Sequence, residues 1–166
     1  MNRLITPKDA EWKRLFEPAD PVTDSATQVF PHLVDMSGVL SVGPGIGLAA
    51  PQIGVFLRFF IMGGPQIDLP GTYRVMINPE IIERSTEGTS GEEGCLSFPA
   101  RKTFVRRADR IVVNYEAIDG RIIGGREFKG LIARVIQHEV DHLNGVCLFP
   151  NDKPSTIPAT GPAAKP

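Results

Sequence analysis

A chain of 166 residues with 42% hydrophobic and 22% charged side chains has the makeup of one soluble globular domain with a sizeable core. Its net charge of −1, with no basic stripe, offers no footprint for nucleic acid. Arg58 breaks the longest apolar run, Val55 to Met62, so no segment is expected to span a membrane.

The start, Met1-Asn2-Arg3-Leu4, is polar and does not read as a secretory signal. Asp9, Glu11 and Glu17 argue against an organellar transit peptide. The two cysteines, Cys95 and Cys147, are therefore expected to be reduced, and nothing in the pattern demands a disulfide.

The polar, proline-punctuated segment Met1 to Pro21 reads as a loop-rich arm with one short helix. Asp24 or Ser25 caps an expected helix to about Leu40, in which Val29, Leu33, Met36 and Leu40 recur at helical spacing. Gly43-Pro44-Gly45-Ile46-Gly47 is too rich in glycine for a regular element. Strands are expected over Phe56 to Met62 and Tyr73 to Ile77, with Ile81-Ile82 beyond a break at Asn78-Pro79. Glu83 to Gly91 reads as a polar loop, and Cys95-Leu96-Ser97 as part of a strand. Arg110 to Ile118 alternates, Asp119-Gly120 signals a hairpin turn, and Arg121 to Phe128 returns. Gly130 to Asn144 reads as a second helix stopped by Gly145. The expectation is a single α+β domain over 1–150, mostly antiparallel sheets packed around that carboxy-terminal helix. The Pro/Ala-rich stretch 151–166 is expected to be disordered.

The chemistry concentrates in His138-Glu139-Val140-Asp141-His142. Histidines four apart stack on one helix face, one turn apart, with a carboxylate beside the first. Two imidazoles in that spacing hold a metal ion, and the glutamate is placed to handle a water proton. Leu131, Val135, His138 and His142 form one stripe, so the histidines continue a core-facing surface. Two core histidines satisfied by hydrogen bonds would be the bland alternative.

A catalytic metal takes a third protein ligand. No glutamate follows Glu139, and position 148 is Leu148 where one zinc-protease pattern needs a histidine, so two common solutions fail. His32, Cys147 and Cys95 remain. His32 sits in the first helical pattern. Cys147, between Val146 and Leu148, reads better as a buried structural thiol. Cys95, in Gly91-Glu92-Glu93-Gly94-Cys95-Leu96-Ser97, reads equally as core thiol or ligand when taken alone, and as the strongest candidate when taken with the helix.

Three stretches together resemble peptide deformylase. They are Gly45-Ile46-Gly47-Leu48-Ala49-Ala50-Pro51-Gln52, then Glu93-Gly94-Cys95-Leu96-Ser97, then Gln137-His138-Glu139-Val140-Asp141-His142-Leu143. They match the family's motifs in order and at similar separations. The likeness runs from Leu33 to Phe149; the amino-terminal arm is only loosely similar and the tail not at all.

That family removes the formyl group from the N-terminal formyl-methionine of new polypeptides. The resemblance implies one divalent metal held by Cys95, His138 and His142, often Fe²⁺ in the cell, with Zn²⁺, Ni²⁺ or Co²⁺ able to replace it. It implies Glu139 as the proton-transfer residue, with Gln52 and the Leu96 backbone N–H donating to the developing oxyanion. Backbone groups at Ile46 and Gly47 would pair with the substrate as an added strand. Val135, one turn before His138, is a plausible wall for the methionine side chain, with the Arg134 stem at the rim and its charge solvated. Glu93, Asp141, Arg106 and Arg107 are candidates for support around the metal. Arg107 matches the family's arginine that pairs with the helix aspartate, here Asp141. Formyl-methionine nascent chains, and the ribosome near its exit tunnel, are the implied partners. The implied compartment is the cytosol, with an organelle matrix as the alternative.

The chain departs from many family members after Phe149-Pro150, where the Pro/Ala tail replaces a further helix or strand. Ser41-Val42-Gly43-Pro44 is also less polar than expected. Another metallohydrolase would share the helix motif but leave Gln52 and the cysteine motif unexplained. An inactive binding module would not need Glu139.

Overall fold

The fold was obtained as a computed structural model, which describes residues 4–149 apart from the side chains of residues 70–72. The expected tail, 151–166, lies outside the described residues. The short helix of the arm is a 3₁₀ turn, Ala10–Phe16. Helices α1 (Ser25–Gln28) and α2 (Phe30–Val42) replace the single helix read from the sequence. Asp24 caps α1, accepting the Ala26 N–H at 3.0 Å. Pro31 then has no N–H to continue the ladder, and the helix restarts after Val29. The expected stripe holds through the break: Val29, Met36 and Leu40 are buried and Leu33 is half-buried.

Among the described residues seven strands follow: β1 (Gly47–Ala49), β2 (Phe59–Gly64), β3 (Leu69–Arg84), β4 (Gly88–Cys95), β5 (Phe98–Ala108), β6 (Arg110–Glu116) and β7 (Ile122–Lys129). Five form one antiparallel sheet in the order β1-β2-β3-β6-β7, and β4-β5 form a two-stranded sheet. Helix α3 (Gly130–Leu143) packs across the first sheet and against β5. This is the α+β arrangement expected, with the motif helix at its centre.

Three local expectations fail for identifiable reasons. The break at Asn78-Pro79 is a bulge inside one strand. The first half of β3 pairs with β2 and the second half with β6, and Pro79 falls at the handover, where its missing N–H costs no ladder bond. Asn78 takes the left-handed conformation there at φ 49°, and its side chain exchanges two 2.8 Å hydrogen bonds with the Val22 backbone. The stretch read as a loop already contains β4 from Gly88. Its small polar residues hide the alternation, because only Glu93 and Cys95 of that strand are buried. Cys95 ends β4, and Leu96-Ser97 is the turn into β5.

The core that fixes α3 consists of Ala133, Val135, Ile136, Val140 and Leu143 against Phe60, Met62, Met76, Ile111, Val113 and Phe128. Each large side chain buried there contributes about 1.5–3 kcal/mol. Gln137 adds a polar clamp. Its Oε1 accepts the Ala108 N–H at 3.1 Å, while Nε2 donates to Ala108 O at 2.9 Å. No described helix is long and apolar enough to cross a membrane.

Candidate active site

Helix α3 presents His138 and His142 with ring centroids 5.0 Å apart. The end of β4 brings up Cys95, whose Sγ lies 3.2 Å from His142 Nε2. One ligand atom from each of the three residues falls within 4.8 Å of the others. A soft sulfur with two imidazoles suits Fe²⁺, Zn²⁺ or Co²⁺. His32, the other histidine considered from sequence, stacks on Phe59 instead, at 6.5 Å between ring centroids.

The electrostatics favour the thiolate, the form in which sulfur binds metals. Burial alone would push Cys95 up, but the charge on His142 and hydrogen bonding with His138 and His142 outweigh it and bring the thiol down to about 5. Burial works against charge on His138 as well, yet Cys95 and Glu93 raise it to about 9. The metal-free group is thus thiolate with imidazolium. Alkylation of Cys95 in metal-free protein is expected to hold its rate from pH 8 to pH 6, whereas an ordinary thiol slows about tenfold per pH unit below its pKa. Mass spectrometry of the Cys95 peptide checks this, and added Zn²⁺ should block the reaction.

Glu139 is 3% exposed, and its Oε2 has no hydrogen-bond partner among the described residues. Burial pushes its pKa up to about 7 against the lowering pull of His138 and His142. An unpartnered carboxylate beside the sulfur and imidazole donors fits a site completed by a metal and its water. Gly47 allows this placement, because a Cβ there would collide with the Glu139 carboxylate. Gly47→Ala is expected to displace Glu139 and slow turnover by about 10–100-fold with the fold intact. Steady-state kinetics beside a thermal melt checks it.

Gln52, 2% exposed, is held by its own oxygen, which accepts the Ala49 N–H at 2.9 Å. Its Nε2 donates to Cys95 Sγ at 3.3 Å and to Ser97 Oγ at 3.2 Å. Ser97, fully buried, was not singled out from sequence, although it closes the cysteine motif. Leu96 occupies the tip of the turn, with its side chain against Gly45.

Behind these three side chains lies a charged network. Glu93 Oε2 meets His138 Nδ1 at 3.0 Å, and Arg107 donates to both Glu93 oxygens at 3.0 and 2.9 Å. Arg107 also pairs with Asp141, the contact expected from sequence. Burial would raise the Glu93 pKa, but His138 and Arg107 hold it down at about 2. Arg134 departs from expectation: its guanidinium is not solvated but pairs with Glu93 Oε1 at 2.6 Å and donates to Val105 O at 2.9 Å. Arg106 is exposed, and only Arg107 of that pair joins the network.

A cleft of about 520 Å³ opens on this group, lined by Ile46, Gly47, Leu96, Leu131, Val135 and Glu139 among others. Val135 is buried at its wall. Leu131, placed on the core stripe by the sequence reading, is 44% exposed because it stands at the cleft mouth. Strand β1 is the edge of its sheet. The Gly63 N–H bonds the Ile46 carbonyl at 3.0 Å, so Ile46 faces β2, and by antiparallel alternation Gly47 directs its N–H and C=O to the free edge.

The polypeptide deformylase family profile matches residues 4–156. A peptide deformylase from Thermotoga neapolitana is 45% identical over 111 residues, covering 67% of this chain and 64% of the relative, so the match spans just under two thirds of that protein. Among solved structures, the peptide deformylase of Thermotoga maritima superposes with a TM-score of 0.78 at 38% identity, over 89% of this chain and 95% of that one. A class I type b peptide deformylase from Acinetobacter baumannii, solved with Met-Ala-Ser bound, gives 0.72 at 34% identity over 88% and 94%. With a family match that spans every described residue and the same fold at such identities, the chain belongs to the polypeptide deformylase family.

Proposed function

We propose that this chain is a metal-dependent hydrolase that removes the formyl group from the N-terminal formyl-methionine of newly made polypeptides and releases formate. The observation that carries the reading is Glu139 Oε2, buried with no hydrogen-bond partner among the described residues, beside the Cys95, His138 and His142 donors at the edge of an open sheet. Cys95, His138 and His142 are the ligands, with Fe²⁺ as the ion in the cell and Zn²⁺, Ni²⁺ or Co²⁺ as substitutes. A divalent ion in that position supplies a Lewis acid that acidifies water and polarises a carbonyl oxygen.

The chain's own residues supply the rest. The substrate peptide lies along β1 as an added strand, its backbone meeting Gly47 beside Ile46. Its methionine side chain enters the apolar part of the cleft at Val135. Glu139, poised near neutrality, takes a proton from the attacking water and gives it to the amine as the C–N bond breaks. Gln52 Nε2 and the Leu96 N–H donate to the formyl oxygen as it gains charge; each such donor lowers the barrier by about 3–4 kcal/mol. The Met-Ala-Ser held by the Acinetobacter baumannii relative has the composition of such a product and supports this choice of substrate.

Nascent chains leaving the ribosomal exit tunnel are the natural source of formyl-methionine, which makes the cytosol the proposed compartment and an organelle matrix the alternative. The reading is tested by incubating anaerobically prepared Fe²⁺-loaded protein with formyl-Met-Ala-Ser and acetyl-Met-Ala-Ser. Formate and Met-Ala-Ser from the first, with the second left intact, is the expected result. No formate from loaded protein would remove the assignment.

A further inference from the structure

The two histidines of α3 are held from behind by different chemistry. His138 Nδ1 meets a carboxylate oxygen of Glu93 at 3.0 Å. His142 Nδ1 meets sulfur: Cys147 Sγ lies 3.8 Å away, although Cys147 stands five residues further along the chain. It returns beneath the ring because α3 ends in a left-handed turn. Gly145 has φ +73°, and the Val146 N–H bonds back to Asp141 O at 2.8 Å. Glycine is required at that position twice over, since a Cβ would also stand 2.6 Å from Phe16 O. The reversal presses Cys147 against the amino-terminal 3₁₀ turn, where its thiol donates to Leu15 O at 3.5 Å. The Ala19 N–H to Leu143 O bond, at 2.9 Å, fastens the same segment to the helix end.

The directions of these contacts place the proton on His142. A thiol has one hydrogen. Given to Leu15 O, it leaves only sulfur lone pairs facing the imidazole, so Nδ1 carries the ring hydrogen. When a metal displaces the Nε2 hydrogen, Nε2, 3.2 Å from Cys95 Sγ, offers its lone pair to the ion while Nδ1 stays protonated. The other tautomer would set two lone pairs against each other at Nδ1 and point an N–H at the metal position.

From this we infer that Cys147 is a positioning residue: anchored on Leu15 O, its sulfur accepts the His142 Nδ1 hydrogen and holds Nε2 toward Cys95 and His138. The inference rests on the proposed ligand set and adds to it a thiol that the sequence reading assigned to plain burial. It also makes the amino-terminal turn part of the metal site's support, although that turn contributes no ligand. Sulfur is a weaker acceptor than the carboxylate behind His138, so the expected effect lies at the lower end for such supports, about tenfold in metal affinity.

The test uses the full chain with Cys147→Ala, Cys147→Ser and Cys147→Val. Zn²⁺ dissociation constants are measured by chelator competition, and the ring nitrogens of His142 are observed by ¹⁵N NMR in the Zn²⁺-loaded protein. In the wild type, Nδ1 should carry a slowly exchanging hydrogen. Alanine should raise the Zn²⁺ dissociation constant about tenfold and speed that exchange, and serine should recover part of both. Valine separates positioning from packing, because it fills the space without an acceptor and should behave like alanine. Valine or alanine variants that bind Zn²⁺ as tightly as the wild type, with unchanged Nδ1 exchange, would overturn the inference while leaving the ligand set standing. A wild type that binds no Zn²⁺ would overturn the ligand set and the inference with it.

Discussion

Glu139→Ala is expected to lower formate release by about 10²–10⁴-fold while the protein still folds and still binds its metal. The proposed ligand atoms belong to Cys95, His138 and His142, so the substitution removes none of them. What it removes is the one buried carboxylate aimed into the site without a partner among the described residues. The loss should fall on kcat more than on KM, because proton transfer belongs to the transition state and not to peptide binding. Glu139→Gln should be nearly as slow: the amide keeps the shape but cannot take the proton. Kinetics on metal-quantified samples distinguishes this from simple metal loss. Full activity in either variant would assign the proton transfer to another group.

Arg107→Ala is expected to produce the largest loss of stability. Its guanidinium joins Glu93 to Asp141, and both carboxylates are largely buried. Removing it takes the guanidinium from the buried Asp141 and leaves Glu93 with Arg134 and His138 alone beneath α3, a change that costs about 3–5 kcal/mol. For a domain of this size that corresponds to a fall in Tm of roughly 6–20 °C. Lysine should not restore it, because a single ammonium cannot reproduce the fork across Glu93. The pH dependence has a definite sign. Glu93 is lowered from 4.5 to about 2 in the folded protein, so its contribution is complete above pH 4.5 and fades as pH falls toward 2. The gap between wild type and variant should therefore narrow across that window in thermal melts. Asp141→Asn is the milder companion, because it leaves the Glu93–Arg107 pair in place. Unchanged stability in Arg107→Ala would mean the network contributes nothing net.

The site was more legible in the sequence than the strands that carry it. The spacing of His138, Glu139 and His142 translates directly into geometry on one helix, and a helix of that polarity had to bury its apolar stripe. The Asp119-Gly120 hairpin and the Gly145 stop were also explicit, since both need backbone conformations that glycine supplies. Strand β4 was not legible. Gly88, Thr89, Ser90 and Gly91 carry no alternation, and the strand exists because β5 offers it a partner. The continuity of β3 was hidden for the opposite reason: Asn78-Pro79 gives a true local break signal, overridden by the Val22 backbone that Asn78 grips. The charge of Arg134 was expected in solvent because nothing local shows that Glu93, on β4 of the two-stranded sheet, ends beside it. Tertiary partners of that kind leave no periodic trace. The same is true of Cys147, whose place behind His142 follows from a chain reversal and not from spacing.

One measurement tests the central claim most directly. The protein is stripped with a chelator, assayed with formyl-Met-Ala-Ser, and then titrated anaerobically with Fe²⁺ while bound metal and formate are followed together. Formate release should vanish on stripping and return in proportion to bound metal, saturating at one ion per chain. Formate release that survives stripping, or one bound ion per chain with no formate, would contradict a deformylase built on Cys95, His138 and His142.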